Sequence, residues 1–421
     1  MKNKILPFLI IISISLTTTS INSIAINDEY KTNLLIQNDH FIVLHIKGSY
    51  YEMGYQHGSL LSEEIIQNIR AYIDFSEKQG TSYEELLDIW NITKQYTSGE
   101  IIDEMQGMSD GANISFDLIA VTNIIPMKFH CCGVAAWNAA TIDGQLIHLR
   151  SLDYPLSVVD PTTGIYLQEN QVMFVREPND GYASIYPGFA GFAGCLGGLN
   201  SQGVSFGQSS SWCDDETFYG TPMTFRLKTA IDHASSAQEA TDMIITNKTL
   251  GFNYVVSDKS PIGYAVETTA NHSYIGTWNN PVENTKPCWS IQDVVRRTNF
   301  FINPTTASTQ RQRYNPSSFI LWILQKNPDF PYWWHYKTLS EAIEVNYGKL
   351  DINTSITMLR DVYLGKTDFL MFIARIFGFP ETMHQWAACP ETGDIAVSFA
   401  SVDTNAFENQ VYYFNLFELI E

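Results

Sequence analysis

The chain predicts an α+β fold, a layered αββα domain preceded by a helical part. Three observations predict it. Apolar residues at helix spacing crowd the first third; from Cys131 onward short β-type runs are separated by Gly, Asp and Asn; and one long amphipathic segment, 225–246, interrupts those runs. No internal repeat is present, which disfavours a solenoid or propeller. With 45% hydrophobic and 17% charged residues, the 421-residue chain can bury a large core and is neither disordered nor fibrous.

The elements follow in order. Lys2 and Lys4 precede an apolar run over 5–16, and Ser23-Ile24-Ala25 supplies a small-x-small cleavage pattern, which predicts a signal peptide at 1–25. The run is shorter than the roughly 20 residues that span a bilayer. The formal charge is −20, from 25 Lys plus Arg against 45 Asp plus Glu; without Lys2 and Lys4 it is 23 against 45, or −22. No Lys/Arg cluster stands out, so nucleic acid is an unfavourable partner, and the acidic balance suits a secreted or lysosome-like acidic lumen. Asn91, Asn113, Asn247, Asn271 and Asn353 head acceptor sequons for glycosylation.

Residues 26–130 then read as a helical N-terminal segment. A short apolar run at 41–46 leads to Leu60, Leu61, Ile65, Ile66 and Ile69, and further helical stretches are predicted at 83–92, 101–108 and 116–127. The β-type runs of 131–421 fall at 134–137, 146–150, 171–175, 204–208, 254–257, 263–267 and 273–278. Residues 279–315, rich in Asn, Pro and Thr, read as irregular chain; helix then runs to about 377, and strands at 385–388, 395–399 and 411–416 close the sequence. The apolar stretch 369–379 reads as core.

The chemistry concentrates in one predicted hairpin. Cys131-Cys132-Gly133-Val134 opens a strand, Asp143-Gly144 turns it, and the return strand carries Arg150 and Asp153 back beside the cysteines. A cation next to a thiol lowers its pKa, and a carboxylate can hold an amine, as a thiol with its own α-amino group as base requires. A plain hairpin with a buried cysteine and a structural ion pair would carry the same residues. The six cysteines are even in number, but neighbouring Cys131 and Cys132 are poorly placed to pair with each other. Gly203-Val204-Ser205-Phe206-Gly207 has the form of a serine-hydrolase elbow, yet Gln208-Ser209-Ser210-Ser211 does not open the helix that motif demands. The nine histidines show no ligand spacing, so neither a metal nor a cofactor is indicated.

These residues resemble a known family. Cys131-Cys132-Gly133-Val134 with Asp143-Gly144 and Arg150-x-x-Asp153 is similar to the opening of the N-terminal-nucleophile hydrolases. The likeness is closest to the self-processing acyl-coenzyme A:6-aminopenicillanic-acid acyltransferase family and its acid-ceramidase-like members. Gly48 to Gly54 with His57-Gly58, Gly198-Leu199-Asn200 to Val204, Arg297-Thr298-Asn299 and Pro390-Glu391-Thr392-Gly393 match in order. The resemblance implies an αββα sandwich and self-cleavage between His130 and Cys131, the two chains staying associated. Aligning Gly133-Val134 makes Cys131 the nucleophile and leaves Cys132 where the family has Thr or Ser. It further implies the freed α-amine as base, Asp153 orienting that amine, Arg150 polarising the site and Asn299 as oxyanion donor. A second family Asn has no counterpart, its stretch being Gln208, Ser209 and Ser210; Arg313, in competition with Arg311, matches a late Arg at the substrate. The implied substrate is an N-acyl amide, first a ceramide-like lipid; apolar, Gly-rich 186–199 and aromatic 330–336 have the composition of an acyl-groove wall, but their residues alone read first as ordinary core and turn packing. The alternatives are an acyltransferase, a phospholipase-like acyl hydrolase, or a secreted binding protein without catalysis.

Overall fold

The computed structural model describes residues 33–37, 41–124, 130–311, 330–376 and 380–420. The predicted signal peptide and Arg313 lie outside these residues, as do 377–379 of the apolar stretch. Two sheets dominate. Along the larger run β1 (Asn33–Gln37), β2 (Ile42–Gly48), β5 (Gln171–Pro178), β6 (Ser184–Phe189), β7 (Gly197–Asn200), β8 (Val204–Ser210), β9 (Phe252–Asp258), β10 (Ile262–Thr268) and β11 (Ser273–Gly276), in that order. The smaller has the order β12 (Val294–Arg297), β3 (His130–Ala136), β4 (Ile147–Asp153), β13 (Thr382–Cys389), β14 (Asp394–Phe399) and β15 (Tyr412–Asn415). Pairing is antiparallel except between β2 and β5.

The layering follows from strand alternation, since successive side chains leave opposite faces of a sheet. Phe41, Val43, Met173 and Val175 of the larger sheet meet Trp386, Ala388, Ile395 and Val397 of the smaller in one apolar layer between the sheets. The other face of β2, carrying Ile42, Leu44 and Ile46, is covered by helices α1 (Tyr50–Leu60), α2 (Ser62–Lys78), α4 (Gly99–Ala112), α5 (Phe116–Ile124), α6 (Met223–His233) and α7 (Ala237–Ile244). The outer face of the smaller sheet, with Cys132, Val134, Ala136 and Leu149, is covered by α9 (Phe330–Val345) and α10 (Ile352–Tyr363). This is the expected αββα order. Short α8 (Pro304–Ser308), α11 (Phe369–Ile376) and α12 (Leu416–Leu419) and the helix α3 (Tyr83–Thr93) complete the described elements. Among the described residues no helix is long and apolar enough to cross a membrane.

Several elements depart from expectation. The segment ahead of Cys131 is not helical throughout: β2 inserts into the larger sheet beside β5, because its apolar residues are buried on both faces. The amphipathic segment 225–246 is two helices, broken where Ser236 turns extended and caps α7 through the Glu239 N–H. Stretch 279–315 contains β12 and α8. Gly-rich 186–199 includes most of β6 and part of β7, which hydrophobic patterning misses because glycine supplies no apolar side chain. In α11, Met371 is buried while Phe369, Phe372 and Ile376 are exposed, so that stretch is not all core.

Candidate active site

The predicted hairpin is β3–β4, in register from His130 opposite Asp153 to Ala136 opposite Ile147, with Gly144 at φ +83° in its turn. Alternation sends Cys132, Val134 and Ala136 to the outer helices and Cys131, Gly133 and Ala135 to the opposite face. The two neighbouring thiols therefore stand in different surroundings. Cys131 Sγ accepts from Arg150 Nη2 at 3.6 Å. Cys132 Sγ lies 3.5 Å from the Tyr363 hydroxyl of α10. All six cysteines are buried and unpaired.

Arg150, opposite Gly133 in the register, is fully buried. Its Nε donates to Gln208 O at 3.2 Å and its Nη1 to His384 Nε2 at 3.3 Å, and no carboxylate among the described residues lies within ion-pair distance. Gly207 makes room for it: a Cβ there would stand 2.5 Å from Arg150 Cδ. That is the structural role of the last glycine in the elbow-like motif. Its Ser205 sits inside β8 and donates to Gly198 O at 2.9 Å, so it is not an exposed nucleophile.

The main-chain N–H of Cys131 donates to Asn299 Oδ1 at 3.0 Å. Asn299 follows β12, and its Nδ2 donates to Ser210 O at 2.8 Å. The neighbouring backbone is held by Ser209 Oγ and Asn253 Nδ2, both 2.8 Å from Thr298 O, and by Arg297, paired with Glu283 at 2.7 Å and Glu267 at 3.2 Å. The asparagine expected as an oxyanion donor is thus engaged at both ends of its amide. Asp153 is held by three hydroxyls. Its carboxylate accepts from Ser151 Oγ at 2.8 Å, Thr382 Oγ1 at 2.9 Å and Tyr363 OH at 2.8 Å, while the nitrogen of Cys131 is held by Asn299.

Burial sets the protonation states. It pushes the Cys131 thiol up to about 12, against the opposing pull of Arg150 and of the Asp153 main-chain N–H. It lifts the Asp153 carboxyl to about 7, opposed by the three hydroxyl donors and by Arg150. It drives His384 well below the usual histidine range, helped by Arg150, so its ring is neutral and Nε2 accepts from the guanidinium. The thiol is therefore held protonated beside a guanidinium that would favour its anion. Among the described residues no three His, Cys, Asp or Glu side chains converge to hold a metal.

Cys131, Arg150 and Asn299 converge, and Asp153 joins them through its main chain. Arg311 lies apart, paired with Asp214 and Glu216. Asn91, Asn113, Asn247, Asn271 and Asn353 are all exposed. Sequence reasoning missed His384, Tyr363 and Thr382, which reach the hairpin from β13 and α10 and carry no local motif. A cleft of about 570 Å³, counting space open to solvent, lies between the segment ahead of Cys131 and the rest; Ile89, Ile124, Phe192, Met223, Leu250 and Phe252 line it. Phe252 pairs with Ser210, whose carbonyl holds Asn299. Aromatic Tyr332, Trp333 and Tyr336 of α9 instead pack with Cys288, Phe300 and Ile302 as a small core.

The chain is similar to several known proteins. The protein dcd1B of Dictyostelium discoideum is 28% identical over 231 residues, covering 48% of this chain and 45% of that protein. An uncharacterized protein of Archaeoglobus fulgidus is 23% identical over 356 residues, covering 74% of this chain and 56% of that protein. The chain thus spans about half the length of these curated relatives. The solved structure of a Caenorhabditis elegans N-acylethanolamine-hydrolyzing acid amidase ortholog superposes with a TM-score of 0.41 at 18% identity, covering 68% of this chain and 100% of that one. The matched family segment, which holds β5 to β12 and Asn299 but not the β3–β4 hairpin, shows the resemblance read from the sequence: residues 165–327 match the model of the acyl-coenzyme A:6-aminopenicillanic acid acyl-transferase family.

Proposed function

We infer that the chain is an N-acyl amide hydrolase whose nucleophile is Cys131, exposed by its own cleavage of the 130–131 bond. One observation carries this reading: the Cys131 thiol stands 3.6 Å from the Arg150 guanidinium while the nitrogen of the same residue is held at 3.0 Å by Asn299. Cleavage begins with attack of Sγ on the carbonyl carbon of residue 130. The C–N bond to Cys131 breaks, its nitrogen takes the thiol proton, and water hydrolyses the thioester to leave a carboxylate at 130, a free thiol and a free α-amine. In turnover the α-amine removes the thiol proton, Sγ adds to the substrate amide carbonyl, and the ammonium returns that proton to the leaving amine. Water then hydrolyses the thioester to the carboxylic acid. Arg150 stabilises the thiolate, and Asn299 Oδ1 holds the amine as it now holds the amide. Asp153 supports the hairpin from the other side.

The apolar lining of the cleft, with Ile89, Phe192, Met223 and Leu250, supports a lipid amide, ceramide-like, with the acyl chain against it. The acidic balance and the exposed sequons support work in an acidic secreted or lysosome-like compartment. Capture of the same thioester by an amine instead of water would give acyl transfer, which the name of the matched family favours as the second reading. N-terminal sequencing of the purified protein decides the nucleophile: the larger fragment is expected to begin at Cys131. Cys131→Ala is expected to remain uncut and inactive, and Cys132→Thr to be processed and active. A start at Cys132, or an active uncut chain, overturns the reading.

A further inference from the structure

The turn between β6 and β7 is shaped by side chains from the segment ahead of the 130–131 bond. Asn68 Nδ2 of α2 donates to Ala190 O at 2.9 Å, and His57 Nε2 of α1 accepts the Gly191 N–H at 3.1 Å. Asn123 of α5 grips the turn twice: its Nδ2 donates to Gly191 O at 2.9 Å and its Oδ1 accepts the Ala193 N–H at 2.7 Å. The remaining Nδ2 hydrogen goes to Ile119 O at 2.9 Å, so the donors of this buried amide are both used. Gly191 takes φ +88°, a left-handed conformation that a side chain would strain. Between the two main-chain groups that Asn123 holds stands Phe192, and both residues line the apolar cleft.

We propose that Asn123 is a specificity-determining positioning residue: by fixing the backbone on both sides of Phe192 it sets the depth of the cleft and hence the length of acyl chain accepted. The proposal rests on the amidase reading for its substrate class, but the placing of the wall is a property of the fold. Amide geometry is what the position demands, since only a planar group with a donor and an acceptor reaches both main-chain groups at once. Alanine would leave a buried N–H and a buried C=O unpaired and free the turn to relax toward the cleft. Because Asn123, His57 and Asn68 all precede the 130–131 bond, the smaller piece supplies the shape of the larger one's substrate wall.

The test uses the processed protein and a series of N-acyl amides with one amine and graded saturated chains. In Asn123→Ala the ratio of kcat/KM for the longest chain to that for the shortest is expected to change at least tenfold. Phe192→Trp, which narrows the cleft without touching the clamp, is expected to shift the preference to shorter chains, and Asn123→Asp, which keeps the acceptor for Ala193 and loses the donor to Gly191, decides the clamp if Asn123→Ala does not fold. An equal fall for all chain lengths in Asn123→Ala, or an unchanged profile in Phe192→Trp, overturns the proposal. If the wild type cleaves no N-acyl amide, the amidase reading fails by itself. The cleft is then read by binding of a fluorescent long-chain fatty acid: at least a tenfold change of Kd in Asn123→Ala or Asn123→Asp upholds the proposal, and an unchanged Kd in both overturns it.

Discussion

Asp153 is a buried carboxyl with three hydroxyl partners and a value lifted to about 7 from the ordinary 3.8. A group whose folded value is raised contributes stability that is full below its unfolded value and lost as pH rises through the folded one. The window here is about pH 4 to 7, and the contribution lost is on the order of 4 kcal/mol. His57 and His148, held down to about 3 by burial and a nearby guanidinium, have the opposite sign: their contribution is present above about 6.5 and fades as pH falls. The difference between wild type and Asp153→Asn therefore isolates the carboxyl. In thermal melts from pH 4 to 8 the wild-type Tm is expected to drop relative to the variant as pH rises; parallel curves would remove Asp153 from this role. The cysteine, arginine and asparagine of the site were legible at this scale because they sit in short motifs. The direction of the Asp153 side chain was not, because it depends on Tyr363 and Thr382, far along the chain.

At the scale of elements, α1 and α4 cross with their backbones in direct contact. Gly54 and Gly58 on one helix face Gly107 and Gly111 on the other, and a Cβ at any of them would stand 1.9 to 2.4 Å from a carbonyl oxygen of the partner helix. Backbone contact this close tolerates no side chain, and main chain gives less readily than a rotamer. Gly107→Ala is expected to cost about 3 kcal/mol, read as a lower urea midpoint; a loss below about 0.5 kcal/mol would mean that the helices separate freely. The crossing also places Glu104, and with it the ion pair to Arg176. Helices with a regular apolar face were visible in the sequence, whereas the Ser49 and Ser82 capping boxes that start α1 and α3 emerge in the structure. Glycine pairs that act by absence carry no periodic signal, so this crossing was not visible.

Across the whole molecule, a buried network joins the two sides of the 130–131 bond. Glu104 Oε2 on α4 lies 2.8 Å from Arg176 and 2.9 Å from Lys228, and Asp232 Oδ1 lies 2.7 Å from Arg176. Two cations and two carboxylates balance, all nearly inaccessible to water, so salt screens them little. After the proposed cleavage the pieces are expected to co-elute in gel filtration at about 1 M salt. Arg176→Gln leaves two buried carboxylates short of a partner, and a loss of about 3 to 5 kcal/mol, seen as a lower Tm or as separated pieces, is expected. Wild-type Tm with intact co-elution in that variant would assign the association to apolar contacts alone.

The sequence by itself determined the α+β class, the β3–β4 hairpin and the presence of Cys131, Arg150 and Asp153 on it, because strand alternation and an Asp-Gly turn are local properties of adjacent residues. Tertiary structure decided which thiol meets the guanidinium. It also decided that Asn299, arriving from beyond β12, holds the Cys131 nitrogen, and that Asn123 closes a turn between β6 and β7 from far earlier in the chain. These contacts join residues far apart in the chain, and their geometry exists only once both sheets and the covering helices have packed.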